Sequence, residues 1–179
     1  MFRRAIITAA CSLALCATPA LADLKPGVEA PAFDAKASLA GKVFDFDLAA
    51  ALKKGPVVLY FYPAAFTTGC TKEAHDFADH IGDYAKLNAT VIGVSEDDID
   101  TLNKFSVSEC RSKFAVAADA DAKIATEYDA VLRTTPKMYA NRTSYVIATD
   151  GKIVYAYTAL DPDAHVANTL AALKKLEEK

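Results

Sequence analysis

The sequence predicts an α/β sandwich, with a central mixed β-sheet flanked by helices. Three observations carry this expectation. Two apolar runs of buried-strand length, Val57–Tyr62 and Thr90–Val94, alternate with stretches of helical period. A strong hairpin signal, Thr149-Asp150-Gly151-Lys152, joins two later strands. The chain then closes on an amphipathic helix through Leu170, Leu173 and Leu176, with lysines late in it as the helix dipole prefers. No internal repeat or linker divides the chain, and this order of elements specifies one layered domain.

Taken in order, residues 1–22 read as a targeting segment. Arg3 and Arg4 form a basic start, Ala5–Thr18 an apolar stretch, and Ala20-Leu21-Ala22 a small-residue cleavage site before Asp23. The apolar stretch is 14 residues long, whereas a spanning helix needs about 20. Stable membrane insertion is therefore not expected. Lipid attachment at Cys11 or Cys16 is disfavoured, because Leu15 is too large before Cys16 and Cys11 lies too early. Cleavage would export the chain, to the periplasm of a bacterium, and leave one domain, residues 23–179. That domain has 157 residues, 18 of them basic and 23 acidic, for a net charge of −5. It is large enough to bury a full core, and its charge argues against nucleic acid or an anionic membrane as partner. Two of the four cysteines leave with the leader, so Cys70 and Cys110 remain. In an exported protein two cysteines suggest one disulfide, structural or catalytic.

Asp23–Ala37 has prolines and no helical period and reads as an extended lead-in. Gly41–Phe46 suggests a short strand, and Asp47–Lys54 a helical turn ended by Gly55-Pro56. The next stretch, VVLYFYPAAFTTGCTKEAHDFADH, organises the rest. Six β-formers without alternation, Val57–Tyr62, predict a strand covered on both faces, and Pro63 ends it. Thr67 or Thr68 caps a helix running to about Leu87, with Phe77, Ile81, Tyr84 and Leu87 on one face. Cys70 then lies in the first turn, where unpaired backbone N–H groups and the helix dipole favour thiolate over thiol. Such placement lowers a cysteine pKa from about 8.5 into a range of roughly 3.5–7.5. His75 and His80 follow Cys70 at steps of five, which turn about 140° around a helix. No common metal-facing side results, so solvated or capping histidines are expected and no metal.

Beyond the strand Thr90–Val94, Ser95 with Glu96, Asp97 and Asp98 opens a helix to about Ser108, its acids complementing the dipole. Cys110 falls in the loop before a short strand, Phe114–Ala118, and Asp119–Tyr128 reads as another helix. Residues 129–143 have no period and form a loop containing Pro136. The loop delivers Arg142 to the strand Ser144–Ala148, and the hairpin leads into Ile153–Thr158. Asp161-Pro162-Asp163 starts the last helix.

The spacing Pro63-x-x-x-Thr67-x-x-Cys70 resembles the active-site motif of peroxiredoxins, and FYPAAFTTGCTKEAHDF is most similar to their Q-type, or bacterioferritin-comigratory, branch. Gly27, Ala30, Pro31 and Phe33 are also similar to the start of many such domains. The resemblance covers essentially the whole chain after residue 22 and implies a thioredoxin-like sandwich. It implies a thiol peroxidase acting on hydrogen peroxide and organic hydroperoxides, with no cofactor. Cys70 would be the peroxidatic nucleophile, Thr67 would meet the thiolate and peroxide oxygen, and Pro63 would shield the sulfur. Arg142 matches the family's arginine before a late strand, and Glu73 a position that supports that arginine. One position departs from the branch: His75 stands where many members carry a resolving cysteine. Cys110 is then expected to resolve Cys70, with a thioredoxin-like protein as reductant and the protein a monomer or weak homodimer.

Two competing functions weigh less. A thioredoxin-fold thiol–disulfide oxidoreductase needs C-x-x-C, and here Glu73 follows Cys70 at that spacing. A non-enzymatic redox-sensing or binding module has no use for Pro63, Thr67, Cys70 and Arg142 together.

Overall fold

The computed structural model describes residues 23–133 and 138–178; the leader 1–22 and Pro136 lie outside them. Inside a seven-stranded sheet lies β3 (Val57–Phe61), every residue of which is buried. Its neighbours are β4 (Thr90–Ser95), parallel, and β8 (Thr143–Ile147), antiparallel. Beyond β4 lie β5 (Ala115–Ala118), β1 (Asp34–Leu39) and β2 (Lys42–Asp47); beyond β8 lies β9 (Ile153–Thr158). The sheet is thus mixed and flanked by helices, as expected.

The unbroken apolar character of β3 follows from its two covered faces. Val57, Leu59 and Phe61 point to one core cluster and Val58, Tyr60 and Tyr62 to the other, the period of two that a pleated strand imposes. The first cluster is closed by the short helices α1 (Leu48–Leu52) and α4 (Lys123–Glu127). The second is closed by α2 (Thr68–Lys86), α3 (Ile99–Ser108) and α5 (His165–Glu177). Cys70 and Cys110 both lie in this second cluster. On α2, Phe77 and Tyr84 are fully buried, with Ile81 and Leu87 packed beside them.

Several elements differ from the sequence expectation. The lead-in ends in a strand, β1, although Asp-Ala-Lys-Ala-Ser-Leu has few β-formers. Pairing with β2 on one side and β5 on the other decides its conformation. Helix α3 starts at Ile99 with Asp98 as its cap, the Asp98 carboxylate accepting from Thr101 N at 2.7 Å. Ser95 is instead the last residue of β4. The region expected as a helix from Asp119 is helical only over Lys123–Glu127, because the Asp119 carboxylate caps it from outside, accepting from Ile124 N and Ala125 N. Within the expected loop 129–143, Val131–Arg133 (β6) and Met138–Ala140 (β7) pair antiparallel. The last helix begins at His165 rather than at Asp161-Pro162-Asp163.

Candidate active site

The site is built where β3 and β8 end side by side. Phe61, the last residue of β3, is in register with Thr143, the first of β8. The chain leaving β3 reaches Cys70 within nine residues, and Arg142 immediately precedes β8. This register brings residues 72 positions apart in sequence into contact: Arg142 Nη2 donates to Cys70 Sγ at 3.4 Å.

Cys70 is the third residue of α2. The first bond of the helical ladder runs from Thr71 N to Thr67 O, so the amides of Thr68, Gly69 and Cys70 have no acceptor within the helix. Thr67 is the N-cap, but its hydroxyl makes no capping bond; it donates to Ala64 O at 2.9 Å. Thr67 is exposed, and Pro63, at the other end of the same loop, is half-buried. Between them Phe66 takes a left-handed backbone (φ 63°) and sets its ring edge-on to Phe105 of α3. The loop is pinned from β4: Asp97 Oδ2 accepts from Ala65 N at 2.7 Å and from Ser95 Oγ at 2.8 Å. Asp97 therefore holds the loop, a role additional to the dipole-complementing one its sequence position suggested. Nothing local marks this role, since its partner lies 32 residues away.

Arg142 is fixed from three sides. Besides the sulfur, its Nη1 donates to Glu73 Oε2, and its Nε donates to Leu160 O at 2.9 Å. Glu73 sits one turn along α2 from Cys70, on the same face, and both are shut off from solvent. Burial drives the Glu73 carboxyl upward while Arg142 pulls it back down. Glu73 also reinforces the positive charge on Arg142. Gly69 makes the approach possible: a Cβ there would stand 3.0 Å from Arg142 Nη2. The sequence reading missed Gly69. A glycine beside a reactive cysteine is the only signal that could have pointed to it.

Cys110 is fully buried and both thiols are free. It follows α3 by two residues, its N–H bonded to Phe105 O. Burial pushes its thiol up, with Glu109 adding to the effect. Three contacts stitch its loop to α2. His75 Nε2 pairs with Glu109 Oε2 at 2.8 Å, Asp79 with Arg111, and Lys113 Nζ donates to Ala78 O at 3.0 Å. Thus His75, expected to be solvated or capping, bridges to the residue beside Cys110. His80 stays on the surface, its Nδ1 against Asp76 O.

The site thus holds a sulfur at a helix start, bound to a buried arginine at the ends of two strands of a mixed sheet. Residues 26–156 match the AhpC/TSA family model. The chain is 34% identical over 127 residues to peroxiredoxin Bcp of Bacillus subtilis, spanning 69% of this chain and 80% of that one. It is 36% identical over 128 residues to chloroplastic peroxiredoxin Q of Triticum aestivum, across 69% of this chain and 57% of that one. The crystal structure of peroxidoxin BcpB from Mycobacterium tuberculosis superposes with a TM-score of 0.78 at 32% identity, over 86% of this chain and 98% of that one. The chain belongs to the AhpC/TSA family and is a peroxiredoxin.

Proposed function

We propose that the protein reduces hydrogen peroxide and organic hydroperoxides at Cys70, in the thiol-peroxidase manner of its family. The observation that carries the site assignment is the Arg142 guanidinium, bound at once to Cys70 Sγ and Glu73. The Cys70 thiolate attacks one peroxide oxygen. The O–O bond breaks, sulfur is oxidised to Cys70–SOH, and the departing oxygen leaves as hydroxide or alkoxide and takes up a proton. Arg142 supplies fixed donors where that negative charge develops. Pro63 and Thr67 frame the entrance.

Cys110 then condenses with Cys70–SOH, giving a disulfide and water, and an external thioredoxin-like dithiol reduces the disulfide. A buried, protonated Cys110 thiol cannot attack until its loop opens, so resolution is coupled to local unfolding. Processing after Ala22, export to the periplasm and a monomeric or weakly dimeric state complete the proposal; the sequence of residues 1–22 supports the first two.

The test is stopped-flow consumption of peroxide with dithiothreitol or a thioredoxin as reductant. Cys70→Ser is expected to abolish even one turnover. Cys110→Ser should retain the first turnover, lose recycling by the dithiol protein, and over-oxidise more readily. Peroxide consumption by Cys70→Ser would overturn the assignment. A free Cys110 thiol after one equivalent of peroxide would remove Cys110 from the cycle. Intact-mass measurement of the protein from its native host reports the processing site.

A further inference from the structure

Arg142 donates to Cys70 and Glu73 on α2, and also to an acceptor on an irregular part of the chain. That acceptor is Leu160 O, 2.9 Å from Arg142 Nε. A guanidinium is planar, so the bond at Nε sets the direction in which the two other nitrogens point. Leu160 lies in residues 159–164, the irregular segment between β9 and α5. Its own side chain does not anchor its carbonyl, being 64% exposed. The ion pair of Asp163 with Lys72 of α2 is exposed as well and gives the segment little rigidity. The Leu160 carbonyl is therefore held through its chain neighbour.

That neighbour, Ala159, is fixed at both of its backbone groups. Ala159 N donates to Arg142 O at 3.2 Å, extending the β8–β9 pairing one step past Thr143 and Thr158. Ala159 O lies 3.0 Å from Nε2 of His165, the first residue of α5, which is shut off from solvent. A carbonyl only accepts, so Nε2 carries the ring hydrogen and donates it. Nδ1 is then a lone pair and accepts from the Ser144 hydroxyl at 2.8 Å. Ser144 is buried on β8, two residues after Arg142. The Tyr157 ring of β9 meets the imidazole edge-on, with centroids 4.8 Å apart. These contacts close a ring that runs from Arg142 through the Ala159–Leu160 backbone, His165 and Ser144, and back to Arg142 along β8. Every hydrogen bond in it is 3.2 Å or shorter, and both nitrogens of His165 are used.

We propose that His165 is a positioning residue for the peroxidase reaction: its Nε2–H holds the Ala159–Leu160 backbone so that the Leu160 carbonyl aims the Arg142 guanidinium at Cys70. Without that donor the Ala159 carbonyl loses its partner and turns toward water. Leu160 O moves with it, and the arginine keeps its charge but loses its aim. The cost falls on the step in which fixed donors meet the departing oxygen. This inference rests on Arg142 serving Cys70 as proposed above.

The test uses two amides that each reproduce one ring nitrogen. His165→Asn sets an oxygen near the Nδ1 position, for Ser144, and has no donor that reaches Ala159 O. His165→Gln sets its NH₂ near the Nε2 position and keeps the donor. Single-turnover peroxide consumption is expected to slow about tenfold in His165→Asn and to stay within about threefold of wild type in His165→Gln. In an Arg142→Lys background, which has no Nε donor for Leu160, His165→Asn should slow it by less than about twofold. A direct readout needs no peroxide. Solvent exchange of the Arg142 Nε–H, followed by ¹⁵N NMR of the reduced protein, should quicken about tenfold in His165→Asn and not in His165→Gln. Wild-type turnover or exchange in His165→Asn overturns the proposal. So do equal losses in the Asn and Gln variants, or in the two backgrounds, which would leave His165 a packing role. Should His165→Asn not fold, Ser144→Ala decides, because it frees the ring and leaves the histidine in place. It should slow turnover and quicken exchange about threefold, and wild-type values for both overturn the proposal. Failure of the peroxidase reading is seen separately, as wild-type protein with a protected Nε–H that consumes no peroxide.

Discussion

At the scale of single residues, the site depends as much on what is absent as on what reacts. Cys70, Arg142 and Glu73 were legible in the sequence through spacing and resemblance. Gly69 was not, because its contribution is the missing Cβ that lets Arg142 Nη2 reach the sulfur. Gly69→Ala is expected to leave the fold intact, since 3.0 Å is a tight contact that a shift of a few tenths of an ångström relieves. That shift falls on the guanidinium, so the first turnover should slow by about tenfold, against about 10²–10³-fold for Arg142→Ala. Single-turnover kinetics with one equivalent of peroxide separate the two. A Gly69→Ala enzyme as fast as wild type would show that the arginine has slack. Thr67 is a similar lesson: it is the N-cap, but its hydroxyl donates to Ala64 O and accepts from no helical amide.

At the scale of elements, the helix starts and loop stitches decide when chemistry can proceed. The loop after α3 carries Cys110 and is held to α2 by His75–Glu109, Asp79–Arg111 and Lys113–Ala78. The sequence showed each of these residues but not their pairing, because they are brought together by the packing of two helices on one sheet face. Partly exposed pairs of this kind contribute about 0.2–1 kcal/mol. His75→Ala should therefore loosen the loop and speed formation of the Cys70–Cys110 disulfide by roughly two- to fivefold. Quenched-flow alkylation with peptide mapping measures that rate. An unchanged rate would mean that opening of α2, rather than this loop, limits resolution. The elements read correctly were those with long apolar runs or strong turn chemistry: β3, α2, β4, the β8–β9 hairpin and the body of α5, though not its start. Strand β1 escaped because its neighbours, not its composition, make it a strand, and the helix from Asp119 was overextended because a capping acid resembles a helix-opening one.

For the molecule as a whole, the buried His165 ties global stability to pH. Burial lowers its imidazole from 6.5 to about 4, so the folded state keeps it neutral where the unfolded chain would protonate it. A group depressed in this way contributes stability that is complete above the unfolded value and lost as pH falls toward the folded one. The loss should therefore run from about pH 6.5 down to about pH 4 and reach at most about 3 kcal/mol. Urea titrations of wild type and His165→Asn at pH 7 and pH 4.5 check this. The stability gap between the two proteins should be larger at pH 7. A gap independent of pH would mean that the imidazole does not titrate on unfolding in this range. His165 lies in α5, 92 residues beyond Glu73 in sequence, and the packing of α2 and α5 on the sheet brings the two within 3.7 Å.

The loop beyond Cys110 turns through two consecutive left-handed residues, Arg111 (φ 50°) and Ser112 (φ 56°). Neither is glycine, so each conformation costs free energy and persists only while its surroundings impose it. A protease needs an extended strand in its cleft, and the Arg111–Ser112 bond cannot offer one in this shape. If Cys110 leaves the core to meet Cys70, the surroundings go and the bond straightens. The chain would then carry an inscription of its own oxidation state, illegible to trypsin when reduced and readable when the sulfurs are joined. Brief digestion of the two forms should yield a fragment beginning at Ser112 from the oxidised protein alone, and its equal release from both would show that the loop does not change.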